Sequence, residues 1–360
     1  MFSRKALKHM LMGALVSSFA GAITLAHAET LRLLTWANYA PPEVVKMFEA
    51  KYPNIHVEVT LSNNEEMIAK LRATGGSGWD LAQPSDDRVN AAQREYNIYK
   101  PLDLSKIDLK VLDPQLLKAA EANTTIDGKV YSIPFEWGTA GLVVNTSVAP
   151  NIKRWTDLCD PQYKGKVSMR LRRIILIGMG FSMGYDPFAA YHDKAQYAKI
   201  LKAVEQKLIA CKSNVYAYWH GGDQLVRMML SGNVIASGTW DSTAYRLHSL
   251  DSKFEFVPPT TGALAWVDTF TIPRNGQNSD AVYKWINFAM QPKIQKIISS
   301  HSGAVPAVQN GGEYMVPKDR AAFKAAFTKA DLKHLKFFPN VPPGLEAMEG
   351  KVLDQIKAAQ

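Results

Sequence analysis

Residues 164–173 read KGKVSMRLRR, five positive side chains in ten residues, threaded through Val167, Met169 and Leu171. Such a run is either a solvated basic edge or a face that meets an acidic group. Arginine suits the second role, because its planar fork donates two parallel bonds to a carboxylate or phosphonate. On a strand alternate side chains share a face. A strand over Lys166–Leu171 therefore directs Arg172, or Arg173 beside it, into a cleft at its carboxyl end, with Arg170 further back. Gly221-Gly222-Asp223, opening a helix after Trp219-His220, either adds backbone N–H groups to an anion site or is a simple N-cap.

Other chemistry is weaker. Gly180-Phe181-Ser182-Met183-Gly184 has the spacing of a hydrolase nucleophile elbow, which needs a strand before it and a helix directly after it. Arg173–Met179 could be that strand, but Tyr185-Asp186-Pro187 reads as a turn, so a secreted hydrolase using Ser182 is a remote alternative. His56, His192, His220, His248, His301 and His334 are scattered, without HxH or HExxH spacing, and neither a metal nor another cofactor is expected. Cys159 and Cys211 lack nearby histidines for a zinc site. Outside the cytoplasm they can form a disulfide, or else remain two buried thiols.

The first residues point outside the cytoplasm. Arg4, Lys5 and Lys8 precede an uncharged stretch, Met10–Leu25, and Ala26-His27-Ala28 fits a signal-peptidase site, so cleavage after Ala28 and a periplasmic location are expected. No later run of about 18 apolar residues would span a bilayer. Removing residues 1–28 from the 360 leaves 332, enough for two lobes, and lowers the net charge from +9 to +6. That moderate excess, without a basic tail, argues against nucleic acid as a partner.

Two sets of elements must position any site. Leu31–Trp36 alternates as a strand, Pro41-Pro42-Glu43 opens an amphipathic helix, and Ile55–Leu61 alternates again. Asn63 and Glu66 start a second helix, Trp79–Gln83 is a short strand, and Pro84-Ser85-Asp86 starts a third helix. This order predicts an α/β lobe on a parallel sheet. Asp127-Gly128 is a hairpin turn, and an extended stretch follows through Val144. The alternation resumes over 150–260, and Phe254–Ile272 is a second extended crossing. The fold class expected is α/β and two-lobed, with a cleft between sheets and ligand at the carboxyl ends of strands.

LTWANYAPP (34–42), DLAQPSDDRV (80–89), YSIPFEWGTAGLVVN (131–145), PQYKGKVSM (161–169), GTWDSTAYR (238–246) and AWVDTFTIP (265–273) occur in the order seen in the periplasmic spermidine/putrescine-binding proteins. The chain resembles a divergent member of that family of extracellular solute-binding proteins over nearly its whole mature length. The resemblance implies a type II Venus-flytrap fold with two crossing segments. Lobe 1 would hold 29–134 plus 268–306, and lobe 2 would hold 135–267 plus 307–360. It also implies a non-enzymatic monomer that binds one small molecule and delivers it to an inner-membrane ABC permease with a cytoplasmic ATPase.

Family binding positions carry over onto Trp36, Tyr39, Ser85, Trp240, Trp266 and Asp268, an amine box of aromatic faces and one carboxylate. Asp87, Glu136, Arg173, Trp219 and Tyr245 are secondary candidates. The departures are informative. The family's acidic pair for the far ammonium falls here at about Arg172 and Ile175, and an aromatic after the Ser85 turn is Asp87. Like charges in a low-dielectric cleft cost several kcal/mol. The expected ligand is therefore a small zwitterionic or anionic amine-containing solute: an ω-amino acid, an aminophosphonate or an opine. The alternative is a polyamine, with Arg172 turned outward.

Overall fold

The computed structural model describes residues 29–359, so the expected signal segment lies outside the described residues. Strand β1 (Glu29–Thr35), helix α1 (Pro42–Lys51), β2 (Ile55–Leu61), α2 (Asn64–Ala73), β3 (Leu81–Ala82) and α3 (Asp86–Tyr96) come in sequence. Local chemistry sets their limits. Pro42 sits in the first turn of α1, where a missing N–H costs nothing. Asn63 caps α2 by accepting from the Glu66 N–H, and Asn97 ends α3 in the left-handed conformation that asparagine tolerates. Both β2 and β3 pair with β1 in parallel.

The chain then crosses in β4 (Ser132–Asn145) and builds a second α/β set. This comprises β5 (Val167–Met169), α4 (Arg173–Ser182), α5 (Lys194–Ala210), β6 (Val215–Tyr218), α6 (Gly222–Leu230), β7 (Ala236–Trp240) and α7 (Asp241–Leu250). Here β5 is parallel to both β6 and β7. It returns through β8 (Phe254–Val257) and β9 (Leu264–Pro273), and ends in α8 (Leu345–Ala358).

The two sets share one twelve-stranded sheet, with main order β2-β1-β3-β9-β4-β7-β5-β6, rather than the two separate sheets expected. The reason is that the crossings pair with each other. β4 and β9 run antiparallel from Ala140–Leu264 to Ser132–Thr271, with one irregularity between Asp268 and Thr269. Hydrophobic cores lie on either side of that seam. One is built on Leu33, Phe48, Phe270 and Trp285, the other on Trp155, Ile177, Tyr197 and Val204.

One local expectation fails near the basic run. Strand pairing stops at Met169, because the Arg172 N–H turns back to the Arg170 carbonyl at 2.8 Å and Arg172 becomes the N-cap of α4. Arg173–Ser182 is helix, as the sequence predicts near 174–182, and not the strand that the hydrolase alternative needs. Ser182 is its last residue, buried, with its hydroxyl accepting from the Trp155 N–H at 3.1 Å. No strand precedes it and no helix follows directly, so the nucleophile-elbow alternative falls. Cys159 and Cys211 are joined in a disulfide, with Cα atoms 4.9 Å apart across 52 residues of sequence. In the chain-entropy picture a loop of that length stabilises the fold by about 4 kcal/mol.

Candidate functional site

The carboxyl ends of β1, β3, β5, β6 and β7 all open on one cleft, which contains roughly 2180 Å³ of empty space, open solvent included. Trp36 follows β1, Ser85 follows β3, Arg170 and Arg172 follow β5, His220 and Gly221 follow β6, and Trp240 ends β7. Trp266 and Asp268 project from the crossing strand β9 into the same space. Gly138 on β4 makes room for Trp266, since a Cβ there would lie 2.5 Å from the indole.

One end of the cleft is acidic. Asp268 is 5% exposed, and its two carboxylate oxygens accept from the Tyr39 hydroxyl and the Ser85 hydroxyl, each at 2.6 Å. Ser85 is itself fixed by Asn64, whose amide donates to its Oγ and whose carbonyl accepts from its N–H. Burial pushes the Asp268 carboxyl up to about 7, against the two hydroxyl bonds that favour its charge. Among the described residues no cation lies within ion-pairing distance of it. A carboxylate has further lone-pair positions beyond those two bonds, so an ammonium can still dock.

The other end is basic. The Arg170 guanidinium lies 4.5 Å from the Trp240 ring centroid and 5.7 Å from that of Trp219, and its Nε donates to the His220 carbonyl at 3.2 Å. Burial, and then the neighbouring Arg172, bring its pKa down to about 10. The Arg172 side chain lines the cleft with no hydrogen-bond or ion-pair partner among the described residues, and its Nε is buried. Glu65, at the start of α2, is held below its usual range mainly by Arg88, with smaller contributions from Arg172 and Arg170.

This geometry belongs to a known class. The family model described as bacterial extracellular solute-binding protein matches residues 43–325. The chain belongs to that family. It is 29% identical over 346 residues to spermidine/putrescine-binding periplasmic protein 1 of Haemophilus influenzae, covering 94% of this chain and 91% of that one. To the spermidine/putrescine-binding periplasmic protein of Escherichia coli it is 29% identical over 297 residues, covering 79% and 81%. The spermidine/putrescine ABC transporter substrate-binding protein PotD of Streptococcus pneumoniae superposes with a TM-score of 0.71 at 25% identity, covering 91% of this chain and 98% of that one. The chain is a solute-binding component of ABC import with a two-lobed fold, and its relatives are transport components rather than enzymes.

Within this solute-binding protein the expected residues divide. Trp36, Tyr39, Ser85, Asp87, Arg172, Arg173, Trp240, Trp266 and Asp268 line the cleft. Asp87 and Arg173 do so as partners of each other, at 2.5 Å, and each has further partners. Arg173 also meets Glu349 of α8 at 3.2 Å, while Asp87 also takes Arg88. Two candidates lie off the cleft, Glu136 and Tyr245, and a third, Trp219, lines a small pocket beside it. Glu136 is fully buried beside Asp268 in the strand register, with Ser302 donating to it, and burial raises it to about 8. Tyr245 is buried in the core under α7, and Trp219 packs edge-on behind Trp240. Arg170 lines the cleft as well. An extended strand would have set it back, but the turn at Arg172 swings it onto Trp240. Glu346 and Glu349 had no signal in the sequence, because nothing local tells that α8 reaches Arg88 and Arg173.

Proposed function

We propose that the protein is a periplasmic receptor that carries a small zwitterion, an ω-amino acid, an aminophosphonate or an opine-like amine, to an inner-membrane permease driven by a cytoplasmic ATPase. One observation carries the ligand class. Among the described residues, the cleft holds two arginines with no carboxylate in ion-pairing distance, Arg170 and Arg172, since Glu65 beside them pairs with Arg88, and one buried carboxylate without a cation, Asp268. A solute with an ammonium at one end and an anion at the other neutralises both. The signal-like N-terminus and the Cys159–Cys211 disulfide support an oxidising compartment outside the cytoplasm. The protein works as a monomer whose lobes close by hinge motion about β4 and β9.

The names of the relatives favour a second reading, a polyamine. A diamine held by Asp268 would bring its far ammonium toward Arg170 and Arg172, where the low dielectric strengthens repulsion. A thermal-shift screen over diamines, ω-amino acids and aminophosphonates separates the two, since a ligand bound by the native state alone raises the melting point. Stabilisation by a zwitterion and not by putrescine is expected. Stabilisation by putrescine or spermidine alone would replace this reading with the second.

A further inference from the structure

We infer that Arg170 sets the specificity of the cleft by filling, with its own guanidinium, a tryptophan cage that would otherwise take an alkylammonium ion. The inference rests on the zwitterion reading and deepens it, because it says why the basic end of the cleft refuses an amine.

Trp219 and Trp240 meet edge to face, with ring centroids 5.4 Å apart and planes at 76°. Two indoles so placed form a corner whose faces attract a cation within about 6 Å of a ring centroid. The cation in that corner is Arg170, at 4.5 Å and 5.7 Å from the two centroids. The corner is rigid. The Trp219 Nε1 donates to the buried Ser237 hydroxyl at 3.0 Å, and Trp240 is fixed between the end of β7 and the first turn of α7. Trp155 closes the floor, and Gly238 permits its approach, since a Cβ at that glycine would lie 2.4 Å from the ring.

A small pocket is lined by these three rings together with Arg170, Arg172 and Thr239. The buried Thr239 hydroxyl and Arg172 Nε have no partner there. Arg170 is tethered by one bond, Nε to the His220 carbonyl, and its two terminal nitrogens have no protein acceptor among the described residues. Two guanidiniums share one neighbouring carboxylate, Glu65, which pairs with Arg88, so this end of the cleft keeps an excess of positive charge that an anion bound to both would offset. Arg170 therefore has two effects at once: it denies the cage to ammonium groups and it offers its terminal N–H groups to an anion.

The test is calorimetric titration of wild-type protein and Arg170→Ala with four probes: 5-aminopentanoate, 2-aminoethylphosphonate, choline and putrescine. Wild type should prefer a zwitterionic probe over both amines by at least tenfold. Arg170→Ala should lose at least tenfold on that zwitterion and gain at least tenfold on choline or putrescine, with the gain abolished by adding Trp240→Ala. Arg170→Met, which refills the cage with an uncharged chain, should lose the zwitterion and gain no amine. It also provides a second readout if the alanine variant folds poorly. A wild type that binds a zwitterion, paired with an alanine variant that gains no amine, overturns the cage while leaving the zwitterion reading in place. Full zwitterion affinity in Arg170→Met overturns the anion role. Tight putrescine binding by wild type defeats the zwitterion reading itself and the inference with it.

Discussion

Arg172 and Arg173 are adjacent in sequence, and the fold treats them in opposite ways. Arg173 begins α4 and is 4% exposed, with Asp87 of α3 and Glu349 of α8 both against its guanidinium and Tyr191 accepting from it. Arg172, one residue earlier, is the N-cap of the same helix and makes no ion pair among the described residues, because Glu65 beside it pairs with Arg88. The difference teaches what a charge is for. A buried guanidinium with its carboxylates in place joins elements of the fold, here α3, α4 and α8. One left unpaired at the wall of a cleft is what the proposed zwitterion would meet with its anionic end.

The sharpest way to break that comparison is to remove each arginine in turn. Arg173→Ala removes one cation from a buried network, leaving Asp87 with Arg88 alone and Glu349 with only the Tyr197 hydroxyl, a change that costs about 3–5 kcal/mol. Chemical denaturation should show it as a lower midpoint. Arg172→Ala should leave the midpoint nearly unchanged and lower zwitterion affinity ten- to a hundredfold, the equivalent of one or two charge-assisted bonds at about 1.5–3 kcal/mol each. If Arg172→Ala destabilised as much as Arg173→Ala while binding persisted, the division between the two would be wrong.

A second comparison sets the basic end against Asp268. The carboxylate keeps its place on β9 through Tyr39 and Ser85, so Asp268→Asn preserves shape and deletes charge. At pH 8 it should weaken binding of an ammonium-bearing ligand by at least tenfold, while the apo melting point holds or rises. The pH dependence follows from the same group. Asp268 titrates near 7, so wild-type affinity should rise as pH climbs through that value and the carboxylate ionises, and the asparagine variant should show no such step. A pH-independent wild type between pH 6 and 8 would mean that no ammonium reaches Asp268.

How much of this was legible depends on range. Helix starts at Pro42 and Asn63, the Asp127-Gly128 hairpin and the alternation of β1 and β2 are written in neighbouring residues, and the structure shows them. The positions that resemble the polyamine receptors, Trp36, Ser85, Trp240 and Asp268, do line one cleft, because each sits at a strand end or on a crossing strand. What stayed hidden is non-local. Asp87 invited a ligand role until Arg173 was seen to hold it, 86 residues away in sequence. The merging of two sheets into one depends on how β4 and β9 lie against each other, which no local pattern records. A strand through Leu171 sets Arg170 back, whereas pairing ends at Met169 and Arg170 reaches Trp240.

The smallest effect concerns Glu136, the other carboxyl at the seam. It stands opposite Asp268 in the β4–β9 register, one oxygen takes the Ser302 hydroxyl, and the other is buried without a partner. Burial holds its folded-state pKa up at about 8, against a usual value of 4.5, so the native state keeps a proton that the unfolded chain releases. A raised carboxyl pKa contributes stability that is complete below the unfolded value and is lost as pH rises toward the folded one. Unfolding free energy should therefore fall between about pH 5 and pH 8, with a contribution from this group of at most about 1.4 kcal/mol per unit. Glu136→Gln keeps an acceptor for Ser302 and cannot ionise, so its stability should decline less steeply over that range. Between pH 6 and 7 the two proteins should diverge by about 1 kcal/mol in urea titrations. Equal slopes for variant and wild type would mean that Glu136 is ionised in the folded protein, and that the seam tolerates two adjacent carboxylates.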